Sequence, residues 1–138
     1  MPASTYAGNK MLDLLLRGVA FAAPARVFVS LHIADPGVGG ANEISLAAWP
    51  SYLRQDPAVG GAVDTGFGAA AAKTTNNLKQ MNYGPMDGPG DITISHAAVW
   101  DAQVAGNMLI YGPLTTPRTF SPTDEAAIRI GKLIESVI

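Results

Sequence analysis

Apolar and polar positions alternate most clearly between Asp91 and Thr116, DITISHAAVWDAQVAGNMLIYGPLTT. Ile92, Ile94, His96, Ala98 and Trp100 fall on one side of a period of two, and Thr93, Ser95, Ala97 and Val99 on the other. That period, with β-branched residues, predicts a strand packed on at least one face. Asp101–Asn107 supplies turn chemistry, because Gly106-Asn107 tolerates positive φ and Asp101 can bond its own backbone. Met108–Tyr111 returns the chain, which completes a β-hairpin. Trp100 is expected to be buried on the face it shares with Ile92, Ile94 and Ala98. A second clean alternation, Arg26–Ala34, sets Val27, Val29, Leu31 and Ile33 against Phe28, Ser30 and His32.

The period changes at the N-terminus. Leu12, Leu15, Leu16 and Val19 lie opposite Asp13 and Arg17, the pattern of an amphipathic helix. Ser4 or Thr5 is a suitable N-cap, the helix runs to about Ala20 or Phe21, and Pro24 closes it. Lys10 and the apolar run after it imitate a signal peptide, but Asp13 and Arg17 interrupt that run and favour the helix. No stretch approaches the roughly 20 apolar residues of a membrane span.

Elsewhere the pattern weakens. Glu43–Gln55 is ambiguous: Trp49-Pro50 breaks any helix, and Tyr52–Gln55 suits a short strand. The stretch 56–90 is rich in Gly, Ala, Pro, Asn and Thr. It either hides short strands or is an arm ordered by a neighbour, since loops of this length are uncommon in compact domains. Ala126–Ile130 and Leu133–Ile138 read as strands around Gly131, although Thr123-Asp124 could cap a helix there. The expectation is a mainly β fold, a β-sandwich or jelly-roll-like domain with one N-terminal helix and a long irregular loop. It is expected to be one domain over 1–138, with helix and turn in 1–25 and the β domain in 26–138.

Composition narrows the function. Only 14% of the 138 residues are charged against 48% hydrophobic, which suits a surface partly hidden in an assembly and excludes disorder. The net charge of −2 leaves no basic field for nucleic acid. With no cysteine, disulfides and thiolate metal sites are excluded. His32 and His96 could be combined with Asp35 or Asp101 on a metal, but no ligand spacing supports this. Asp87 and Asp91 read as turn residues, and no serine-nucleophile motif occurs. The expectation is therefore no catalysis, no cofactor and no metal. The aromatic and methionine residues Trp49, Tyr52, Phe67, Leu78, Met81, Tyr83 and Met86 are the candidate partner interface, with core packing as the competing reading.

The order of these pieces resembles a family of small tailed-bacteriophage virion proteins, described as tail fibre or minor tail proteins, some akin to capsid decoration proteins. The resemblance rests on VSLHIADPGVGGANEIS (Val29–Ser45), SYLRQ (Ser51–Gln55) and the run Asp91–Glu125. The family shows a strand ending in a T-A-D-P turn, an E-V-S/Y-A-R-Q element, and a hairpin like I-T-H-F-G-I-W-D…G-G-N-L-L-Y-Y-G-x-L-T. Leu46–Pro50 is an insertion against that pattern, and the stretch between Asp56 and Asp91 departs from it. The resemblance implies a virion structural protein. Within that class the expectation is a cement or decoration protein binding the major capsid protein and copies of itself, with no membrane or nucleic-acid partner. A tail fibre or minor tail component is the alternative. A glycan-binding β-module is a further one, with Trp49 and Tyr52 as stacking platforms.

Overall fold

In a computed structural model, which describes residues 1–136, the chain is mainly β with one N-terminal helix. Helix α1 spans Thr5–Arg17. The strands are β1 (Phe28–His32), β2 (Thr74–Asn76), β3 (Met81–Pro85), β4 (Ile92–Trp100), β5 (Met108–Phe120), β6 (Glu125–Ile128) and β7 (Ile134–Ser136). All pairing is antiparallel: a three-stranded sheet in the order β1-β4-β5, and two-stranded sheets β3-β6 and β2-β7.

Capping sets the limits of α1. Ser4 accepts the Ala7 N–H at 3.1 Å, and Gly18 turns left-handed at φ 66°. The helix therefore stops at Arg17, three or four residues short of the expected Ala20 or Phe21. Phe21 then folds back edge-on to the Tyr6 ring at 6.3 Å.

The predicted hairpin is β4 and β5. Asp101 closes its loop by accepting the Asn107 N–H at 2.6 Å, while Ala105 and Gly106 take positive φ. Strand β1 pairs with the other edge of β4, and single bridges from Glu43 to His32 and from Gln55 to Val29 cover β1's own outer edge. The residues read as ambiguous between Glu43 and Gln55 thus protect an edge that would otherwise stay unpaired.

The face assignment on β4 needs correction. The register slips between Ile94, opposite Arg118, and His96, opposite Pro113. Ile94 consequently joins Ala97 and Val99 in the main core, while Ala98 and Trp100 point to the other side, with Met108. Trp100 is buried as expected, at 7% exposure, but not on the face of Ile94. The surplus residues lie on β5, and the alternation of β4 breaks beside them.

The main core lies between the three-stranded sheet and the β3-β6 pair, an arrangement like a sandwich. Val29 and Leu31 come from β1, Ile94, Ala97 and Val99 from β4, Met81 and Tyr83 from β3, and Ala126 from β6. The stretch 56–90 is no irregular arm. It contains β2 and β3, which pair with the distant C-terminal strands in the registers Thr74↔Ser136 and Met81↔Ile128. Both C-terminal segments are strands, and Gly131 between them has φ 71°. Val137 and Ile138, the end of the strand expected there, lie outside the described residues.

Candidate functional site

Five of the seven candidate interface residues lie inside the fold. Trp49 and Met86 are fully buried, and Tyr52, Met81 and Tyr83 nearly so. Tyr52 stacks on Tyr83 with centroids 6.2 Å apart and rings 5° from parallel, and Trp49 tilts against Tyr52 at 5.8 Å. Their polar tips are occupied too. Tyr83 Oη donates to the Val29 carbonyl at 3.0 Å; Tyr52 Oη accepts the Leu31 N–H at 2.9 Å and donates to Glu43 Oε1 at 3.1 Å. Burial drives both phenol pKa values above the ordinary range, so both stay neutral and able to donate. The expectation of an exposed partner surface is thus corrected for these five, because their apolar area is spent on the chain's own core. Phe67 is half-buried against that core, and Leu78 alone of the seven is exposed. With Trp49 and Tyr52 enclosed, neither offers a platform for a sugar ring.

On the other face of the sheet sits a buried polar chain. Trp100 Nε1 donates to Ser30 Oγ at 2.7 Å, and Ser30 Oγ lies 2.7 Å from His32 Nε2. His32 Nδ1 lies 2.7 Å from the Ala41 carbonyl. A carbonyl only accepts, so Nδ1 carries the proton and Nε2 accepts from the serine hydroxyl. Burial lowers the His32 pKa and favours this neutral tautomer. A serine hydroxyl on a histidine has the form of a nucleophile and base, but Ser30 and His32 are both fully buried. Here the pair joins strand to loop.

Arg54, from SYLRQ, closes the same region. Its guanidinium stacks 3.7 Å from the Trp100 ring. It grips Glu43 through Nε and Nη2 at 2.8 and 2.7 Å, and donates to the hairpin-loop carbonyls of Ala102 and Ala105 at 2.9 and 2.7 Å. Only arginine's fork can serve a carboxylate, two carbonyls and an aromatic face together. The sequence pattern marked the motif but not its task. Of the residues considered for a metal, His32 and His96 lie in β1 and β4, and the two aspartates are turn residues: Asp35 accepts the Gly37 N–H at 2.8 Å, and Asp101 serves its loop. Among the described residues no three His, Asp or Glu side chains converge.

Two surface features remain. An open cleft of about 750 Å³ lies between the second half of β5 and β6, and Arg118, Arg129, Lys132, Asp124 and Glu125 are among the residues lining it. Beside the start of β5, helix α1 holds only Ala7 buried and leaves Leu12, Leu15 and Leu16 bare. Its leucines were legible as one face of a helix, yet among the described residues no strand covers them.

The comparison with known families bears on the whole fold. The family described as Podophage GP4 fiber I protein gp80 matches residues 2–136. The chain belongs to this family. The gp80 match takes in helix α1, every strand, and the stretch 56–90 that departs from the resembling motifs. It is a phage structural protein family, and its description names a fibre. No curated protein matches the chain. Among the described residues no helix is long and apolar enough to cross a membrane.

Proposed function

We propose that this chain is a structural component of a phage tail fibre and that it works by assembly, without a catalytic step. The observation that carries the reading is the fiber I family match across residues 2–136. That description favours the fibre alternative over the cement protein expected from composition and resemblance. The placement of its chemistry supports a passive role: Ser30, His32, Tyr52 and Tyr83 are buried and engaged in holding strands together. Its partners are other virion proteins and further copies of itself.

The test is location. Virions are purified, heads and tails are separated, and the chain is quantified in each fraction by mass spectrometry and labelled by immunogold. A fibre component is found with tails, in few copies, and is missing from tailless heads. Recovery on tailless heads at a stoichiometry near that of the major capsid protein would restore the cement reading. Absence from virions would sink both.

A further inference from the structure

Helix α1 is encoded as a helix, with a serine cap at one end and a glycine stop at the other, but among the described residues nothing covers its leucines. A helix of about this length is marginal in water unless an apolar face is packed. Of its 13 residues only Ala7 is buried, while Leu12, Leu15 and Leu16 are 57%, 76% and 77% exposed. At 100° per residue Gly8, Leu12 and Leu15 lie along one line, with Met11 and Leu16 on either side of it. The 4-then-3 spacing is that of a helix–helix seam. Gly8 has open space above it, so a neighbouring backbone can come close.

We propose that α1 is a self-association helix, and that its bare face is covered by α1 of a second copy of this chain. Three observations select that occupant. The first is charge. Lys10, Asp13 and Arg17 all fall on the opposite side, where Arg17 pairs with Asp13 at 2.9 Å and Lys10 lies over the Tyr6 ring at 5.8 Å. A copy meeting its own kind therefore brings leucine onto leucine with no like charges in the seam, as a symmetric interface requires. The second is area. Met11, Leu12, Leu15 and Leu16, 37–77% exposed, put four large apolar side chains on this one face, where a stable interface covers roughly 800 Å² per partner. The third is the polar side. A helix lying on a membrane has a strongly charged, Lys/Arg-rich polar face; here the three charges are one acid and two bases, each engaged within the chain.

The test uses the full chain in sedimentation velocity over a micromolar to submillimolar range. The wild type is expected to sediment as a dimer or larger, and the double variant Leu12→Glu, Leu15→Glu as a monomer with an unchanged circular dichroism spectrum. Mixing it with Leu12→Lys, Leu15→Lys is expected to restore association. The absence of native cysteine gives a second measurement that tolerates no confusion with misfolding. Under mild oxidation Leu15→Cys is expected to form an interchain disulfide. Val104→Cys, equally exposed at 76% in the β4–β5 loop, is the control and is expected not to. A wild type that stays monomeric, variants that remain assembled, or equal cross-linking at both cysteines would overturn the proposal. So would a monomeric wild type that binds phosphatidylcholine–phosphatidylglycerol vesicles, which would assign the face to lipid. None of these results depends on where in the virion the chain resides.

Discussion

Trp100 and Gly40 form a pair whose coupling can be worked out from the structure. Trp100 is buried, donates to Ser30 and carries the Arg54 guanidinium on its face. Truncation to alanine should cost about 3–5 kcal/mol, the usual range for a buried aromatic side chain. Gly40 lies against the edge of the same ring, at φ 79°. A Cβ built there would come within 2.5 Å of Trp100 Cη2. Gly40→Ala then carries two costs: about 1–2 kcal/mol for an L-residue in the left-handed region, and about 1–3 kcal/mol for overpacking. Only the second depends on the indole. In a Trp100→Ala background the ring is gone and the overpacking cost disappears, while the backbone cost stays. The double variant should thus be more stable than the sum of the single effects implies, by roughly 1–3 kcal/mol. The assay is urea unfolding of all four proteins followed by tyrosine and far-UV signals, at a single protein concentration. Additivity within about 0.5 kcal/mol would show that ring and glycine do not touch. A loss below about 1 kcal/mol for Trp100→Ala alone would show that the indole is not buried.

Three further outcomes are expected. Burial raises the Glu135 pKa to about 8 from 4.5, opposed by the Met1 ammonium, and among the described residues neither carboxylate oxygen has a hydrogen-bond partner. The folded state holds that proton more tightly, so its contribution is fully present below pH 4.5 and is lost as pH rises towards 8, by roughly 3–5 kcal/mol at 1.36 kcal/mol per unit; Glu135→Gln should abolish this fall in pH-dependent melts. His32 has the opposite sign: its lowered pKa means stability falls as pH drops below 6.5, and imidazole NMR at pH 7 should show a neutral ring protonated at Nδ1. An imidazolium signal at that pH would contradict the assigned tautomer. Amides of β3 should be protected from exchange in the free protein, and Tyr83→Ala with Met86→Ala should destabilise by more than 4 kcal/mol, about twice the lower limit for one large-to-small core change; rapid exchange would return the segment to the role of a mobile arm.

The sequence by itself determined what depends on neighbours along the chain. Ser4 and Gly18 bound a helix through local hydrogen bonds and a left-handed φ, and both can be read as letters. The alternation in Phe28–His32 and the turn chemistry of Asp101–Asn107 are local as well, and they located β1 and the β4–β5 hairpin. Tertiary structure decided whatever depends on distant pairing. Strands β2 and β3 have weak periods of their own and exist because β7 and β6 come to lie beside them. The slip between Ile94 and His96 arises in the pairing with β5, where the five steps from Pro113 to Arg118 span what β4 crosses in two, and no count along β4 reveals it. Trp49, Tyr52 and Tyr83 look alike as letters whether they face a partner or a core; only the closing of β1, β3 and β4 around them makes them core. Helix α1 is the converse, since its apolar face was legible from spacing but its exposure was not. Amphipathicity records that a helix has something to bury, whereas the rest of the fold decides whether this chain supplies the surface to bury it against.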